Sequence, residues 1–195
     1  MKLIYTASQV REAEKPYIEA ADYDGYLMQR AADAVAAEAQ ELLHGKDKAK
    51  ILLLIGPGNN GADTIYAGAR LSAKGHSVDA VIFDSSEKNL ELIAREGGEG
   101  TRVLDPEHAL EQLAGYDLTI DGILGTGSSG AVRGSAGEYL GVLRAAQLDG
   151  KLGAVLAVDT PSGVDNNRGT VHEPSLRADR TVTFIGHKPV SYTHL

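Results

Sequence analysis

The chain has 195 residues, enough for one domain with a sizeable core. Its 27 acidic residues outnumber 19 basic ones, a formal net charge of −8, so no basic stripe is available to hold a nucleic-acid backbone. The absence of cysteine excludes disulfides, thiolate catalysis and cysteine-held zinc, and no apolar run approaches the ~18 residues of a membrane span; the composition reads as a cytoplasmic protein with neither nucleic acid nor membrane as a partner.

Thr6 and Gln9 stand at capping-box spacing and Val10, Ala13, Tyr17 and Ile18 follow at helical intervals, which predicts a helix near 7–19. Asp24 is the expected cap of a second helix, whose apolar stripe runs through Leu27, Met28, Ala31, Val35, Ala39, Leu42 and Leu43 and stops at Gly45. From Lys50 the pattern changes to short apolar runs at 50–55, 77–83, 101–104, 117–121, 153–159 and 180–185. Helical stretches near 62–74, 86–96, 106–114 and 136–147 lie between them. Runs that are apolar on both faces, joined by helices, indicate a parallel sheet covered on both sides. The expected fold is therefore α/β: a three-layer α/β/α sandwich with a Rossmann-like, mostly parallel sheet and two N-terminal helices. Its ligand crevice should lie beyond the C-terminal ends of the strands.

The least ordinary stretches fall on that edge: "GPGNNGAD" (56–63), "DGILGTGSSGAVRG" (121–134) and "VDTPSGVDNNRG" (158–169). Glycine admits positive φ and close approach of backbone N–H groups to an anion, while the carboxylates and amides supply oxygen ligands. Gly56, Gly58 and Gly61 satisfy G-x-G-x-x-G, the spacing that sets a dinucleotide pyrophosphate at a helix N-terminus, although such turns also occur without a ligand. Asp121 and Asp159 end apolar strands, where a carboxylate lies beside a ligand or caps the next turn. Asp84 follows the second apolar run, near the place of a ribose-binding acid in a dehydrogenase. Against that reading, none of the six histidines (His44, His76, His108, His172, His187, His194) stands in a catalytic context, and no Lys-Ser or Lys-Thr completes a P-loop.

Together these loops resemble the NAD(P)H-hydrate epimerase family, the YjeF N-terminal domain. That family carries a GNNGGDG-like loop, a D-(A/G)-hydrophobic-x-G-T-G loop, a (I/V)-D-(I/T)-P-S-G segment and a late "ADxTVTF…KPG". Their counterparts here are Gly58 to Asp63, "DGILGTG" from Asp121, "VDTPSG" from Val158 and "ADRTVTFIGHKP" from Ala178. The opening "TASQVREAEK" is similar to the family's first helix, so the likeness covers 1–190, with 191–195 reading as a non-native tail on a shortened chain.

The resemblance implies an isomerase of nicotinamide nucleotide repair, interconverting the R and S forms of hydrated NADH and NADPH. On that basis Asn59, Asn60, Gly61, Ala62 and Asp63, together with Gly125, Thr126, Gly127, Ser128, Ser129, Gly130 and Ala131, would hold the substrate's phosphates and ribose. Asp159 would lie close to the ring as the catalytic acid and base, and potassium would be bound through Asn60, Asp121 and Ser162, oxygen donors of the kind hard cations take. A homodimer and a fused dehydratase domain are also implied. Ala62 and Thr64 stand where the family has glycines, which should tighten the backbone's approach to a phosphate. Arg133 and Lys188 are candidate phosphate ligands. The rival readings are a non-catalytic nucleotide-binding or scaffold protein of the same fold and an NAD-dependent dehydrogenase.

Overall fold

The computed structural model describes residues 5–20, 25–83 and 87–186. The apolar runs form β1 (Lys50–Ile55), β2 (Ser77–Ile82), β3 (Thr101–Val103), β4 (Leu118–Gly122), β5 (Ala154–Val158) and β6 (Arg180–Val182), in one sheet of order β3-β2-β1-β4-β5-β6. Every pairing is parallel, with Ile55 in register with Ile82 on one side and Gly122 on the other. Alternate residues of β1 serve opposite cores. Ile51, Leu53 and Ile55 pack with Val35 of α2 (Tyr26–Leu42) and with Ile65 and Leu71 of α3 (Asn59–Ala73), a cluster that also takes in α4 (Glu87–Glu96). Leu52 and Leu54 pack on the other face with Ala109 of α5 (Pro106–Glu111) and Tyr139, Leu140 and Leu143 of α6 (Gly134–Leu148).

Chain direction across the sheet reverses between β1 and β4, which opens the crevice expected of a doubly wound sheet at the ends of those strands. Over that crevice lies α1 (Ala7–Ile18), started by the predicted capping box: Gln9 N–H donates to Thr6 Oγ1 (3.3 Å) and Thr6 N–H to Gln9 Oε1 (2.8 Å). The second helix follows Gly25, whose φ is 85°; the predicted cap Asp24 lies outside the described residues.

Two differences from the sequence reading bear on the crevice. The third helix begins at Asn59 rather than near 62, because Gly58 (φ 90°, ψ −163°) completes the turn and leaves Asn59 and Asn60 helical despite their preference for loops. The last strand stops at Val182, so Thr183 and Phe184 leave the sheet and reach the crevice. Two of the three fingerprint glycines are packing glycines. A Cβ on Gly56 would lie 1.9 Å from the Ile123 carbonyl oxygen, and one on Gly61 2.1 Å from that of Gly56. Their absence lets α3 and the segment after β4 close onto the end of β1.

At the opposite edge, Asp79 is fully buried and fully partnered. It accepts from Arg102 Nε at Oδ1 (2.8 Å) and Nη2 at Oδ2 (3.0 Å) and from the Tyr116 hydroxyl (2.7 Å), with Lys50 Nζ at 3.7 Å. Asp117 takes Lys46 Nζ (2.6 Å) and the Lys50 N–H (2.9 Å), and His76 Nδ1 accepts the Ala49 N–H (3.1 Å). No helix among the described residues is long and apolar enough to cross a membrane.

Candidate active site

The ends of β1, β4 and β5 feed the segments singled out in the sequence, and together with α1, α2 and the segment after β6 these enclose a cavity of about 890 Å³. That volume suits a ligand of nucleotide size. Pro57, Gly58, Asn59, Asn60 and Asp63 line it from the start of α3, and Leu124, Gly125, Thr126, Gly127 and Ser128 from the segment after β4. Asp159 contributes from the end of β5. Because Gly58 is the N-cap and Ala62 N–H is the first to bond back to it (3.2 Å), the N–H groups of Asn59, Asn60 and Gly61 have no intrahelical acceptor. A helix start of this kind favours an anion.

Asp159 is 6% exposed and has a φ of 67°, a left-handed conformation rare outside glycine that aspartate tolerates better than most residues. Its own N–H donates to the Val182 carbonyl (2.6 Å), which ties the turn to β6. The carboxylate turns across the cavity floor, where Oδ2 accepts both the Thr126 N–H (2.8 Å) and the Thr126 hydroxyl. Strain of this kind persists where surrounding contacts over-determine it, and these hold the carboxylate in one place.

A second carboxylate, Asp121, is 1% exposed. Ser162 donates to it twice, through its hydroxyl (2.6 Å to Oδ1) and its N–H (2.8 Å to Oδ2), and the Ile123 N–H adds a longer bond (3.3 Å). Ser162 Oγ accepts the Leu124 N–H (3.0 Å), while Asn60 Nδ2 donates to the Leu124 carbonyl (3.1 Å). Ser162 and Asn60 thus both bond the Leu124 backbone, and Asp121 joins them through Ser162. Burial pushes the Asp121 carboxyl up, and the Ser162 and Ile123 donors pull it back. No lysine or arginine among the described residues forms an ion pair with Asp121.

Not every sequence-predicted residue reaches the cavity. Gly61 and Ala62 are buried in packing, and Ser129, Gly130 and Ala131 lie beyond the segment that lines it. Arg133 is the residue before α6 and is not part of the lining. Among the described residues, the cations that line the cavity are Arg11 of α1 and Arg30 of α2, with Arg11 Nη1 3.8 Å from where a Cβ on Gly127 would sit. Asp84, His187, His194 and Lys188 lie outside the described residues. The sequence reading also passed over Glu14 of α1 and Phe184 as cavity residues, since both arrive by the folding of distant segments over the sheet edge.

A family model for the YjeF-related protein N-terminus matches residues 25–190. The bifunctional NAD(P)H-hydrate repair enzyme Nnr of Mycobacterium tuberculosis is 32% identical over 194 residues, covering 97% of this chain and 39% of that one. This chain therefore spans about two fifths of the length of such relatives. An NAD(P)H-hydrate epimerase of Microbacterium testaceum is 37% identical over 182 residues, covering 92% of this chain and 68% of that one. The crystal structure of the yeast protein ynu0 superposes with a TM-score of 0.79 at 22% identity, over 97% of this chain and 83% of that one, and so shares the fold. With the family model matching most of the sequence and the four quoted motifs in order along it, the chain belongs to the family of YjeF-related protein N-termini.

Proposed function

We propose that this chain epimerises hydrated NADH and NADPH at carbon 6 of the nicotinamide ring. The observation that carries the reading is the placement of Asp159. Its carboxylate is fixed by Thr126 inside a cavity of nucleotide size, whose rim is a helix start suited to phosphate. The relatives named for NAD(P)H-hydrate epimerisation and repair supply the substrate class.

Carbon 6 of the hydrated ring bears a hydroxyl and adjoins the ring nitrogen, whose lone pair can expel the hydroxyl and leave an iminium ion. Water that returns to the opposite face gives the other epimer. An acid must protonate the departing oxygen and a base must take a proton from the returning water. Asp159, held against Thr126, would make that exchange, and its negative charge would favour the cationic intermediate. The substrate's phosphates would take the free N–H groups of Asn59 and Asn60 at the start of α3, with Arg11 and Arg30 as the cations of the lining among the described residues.

The residues implied for potassium fit a monovalent cation. Asp121 is a buried carboxylate with no cationic side chain among the described residues, Ser162 offers a hydroxyl oxygen, and Asn60 Oδ1 accepts no hydrogen bond there. A bound potassium would supply a positive charge beside Leu124 and hold the segment that carries Thr126. An enzyme that dehydrates one of the two epimers is the partner reaction this activity serves.

The test is conversion of a single resolved epimer, followed by chromatography against the spontaneous rate, with and without potassium. Conversion faster in potassium that falls at least a hundredfold in Asp159→Asn, a variant compatible with the left-handed backbone, is the expected result. No acceleration by folded protein would leave the scaffold reading in its place.

A further inference from the structure

The structure holds a buried acid that the scheme above leaves idle. Asp63, the fifth residue of α3, is only 7% exposed yet forms part of the cavity wall. Among the described residues, no donor hydrogen-bonds to its carboxyl and no lysine or arginine pairs with it. A buried acid in a structural role has partners, as Asp79 does. One left without them on the wall of a cavity is arranged to meet something that binds there. The charges that act on it are Asp159 from the end of β5 and Glu14 from α1, while Arg11 of α1 and Arg30 of α2 line the same cavity without pairing with it among the described residues. Helix α3 gives little help to a charge at this position, because the field of a helix start fades within its first turn.

We propose that Asp63 is a second catalytic carboxyl of the epimerisation inferred above, the one that protonates the departing ring hydroxyl while Asp159 takes the proton of the returning water. The two environments divide the roles. An ionised carboxylate only accepts hydrogen bonds, and Asp159 sits against two donors from Thr126. Asp63 accepts no hydrogen bond among the described residues, so its resting form keeps a proton and can give it away. Burial, then the charges of Asp159 and Glu14, push Asp63 up to about 8, close to working pH, where an acid transfers its proton most effectively.

In the first step the Asp63 O–H bond breaks as its proton bonds to the hydroxyl oxygen. The C6–O bond breaks with its electron pair on the leaving water, and the nitrogen lone pair becomes the C=N π bond. In the second step a water oxygen bonds to C6 on the other face, the π pair returns to nitrogen, and Asp159 accepts one water proton. One water leaves and one enters. The proton on Asp159 then returns to Asp63 through solvent, so the cycle consumes none.

The closing experiment measures kcat and KM for a single epimer of hydrated NADPH between pH 6 and 10, in wild type, Asp63→Asn and Asp63→Glu. Folding is checked by circular dichroism, and binding of intact NADPH is measured for each. The wild-type kcat/KM should fall on the alkaline side with a midpoint near pH 8. Asp63→Asn should lose at least a hundredfold in kcat, with KM and NADPH affinity within threefold of wild type and the alkaline fall gone, and Asp63→Glu should restore part of kcat. A smaller loss in kcat, or a rise in KM alone, overturns the proton role and leaves the epimerase reading standing. If the wild type does not exceed the spontaneous rate, the epimerase reading fails and takes the role with it. Should Asp63→Asn not fold, the wild-type carboxyl is titrated by carbon NMR. Ionisation near pH 4 overturns the assignment, and ionisation near pH 8 together with the alkaline fall sustains it.

Discussion

The two edges of the sheet use aspartate in opposite ways. At the N-terminal edge Asp79 is held by Arg102, Tyr116 and Lys50, and Asp117 by Lys46 and a strand N–H, so each charge stays inside the protein's own hydrogen bonds. At the C-terminal edge Asp121 meets only neutral donors from Ser162 and Ile123, Asp159 turns to Thr126, and no donor among the described residues reaches Asp63. Burial alone therefore does not tell a structural acid from a functional one, since Asp79 and Asp121 are equally hidden. What differs is whether the protein supplies the countercharge or leaves that to a ligand.

Single substitutions at the two edges should separate accordingly. Asp79→Ala strips the acceptor from the Tyr116 hydroxyl and strands Lys50 and Arg102. Urea unfolding should show a loss of about 2–4 kcal/mol, toward the lower end because Arg102 is 56% exposed. Epimer conversion per folded molecule should be unchanged. Asp63→Asn should do the reverse, removing catalysis while improving stability in alkali. In the folded protein the Asp63 carboxyl keeps its proton to about pH 8, whereas its ordinary value is 3.8. Between those values the native state binds more protons than the unfolded state, so wild-type stability declines as pH rises through that window. The amide cannot ionise. Its thermal midpoint should therefore pull ahead of wild type from pH 5 to pH 9, by an amount equivalent to about 2–4 kcal/mol. Equal stability loss in both variants would erase the contrast between the edges. The smallest effect is expected of Lys46→Ala, at most about 0.5 kcal/mol by the same unfolding measurement, because Lys46 is 52% exposed and its charge is screened.

Much of this was legible before the structure. The apolar runs predicted all six strands and put Asp121 and Asp159 at their C-terminal ends, because a parallel sheet sends those ends to one edge, whereas Asn60 and Ser162 were singled out only through the family resemblance. The start of α3 was not legible, since Asn-Asn-Gly favours a loop in isolation and becomes helical only where Gly58 sets the turn and Gly61 packs on Gly56. The same spacing that suggests a phosphate cradle also serves close packing, and only the neighbouring atoms tell the two apart. Arg11, Glu14 and Arg30 were hidden for another reason. Each lies on a helix whose own pattern shows only a polar face, and what that face looks onto is decided by packing across the chain.

Thr64 and Gly122 constrain the order in which this sequence can change. A Cβ on Gly122 would lie 1.9 Å from Thr64 Oγ1 and 2.8 Å from Thr64 Cβ, so the threonine fills the space that an alanine at 122 would need. The related pattern has glycine at the position of Thr64 and admits either alanine or glycine at that of Gly122. Here the choice is closed while the threonine stands: Gly122→Ala is tolerated only after Thr64→Gly, and the two positions should be inherited as a pair.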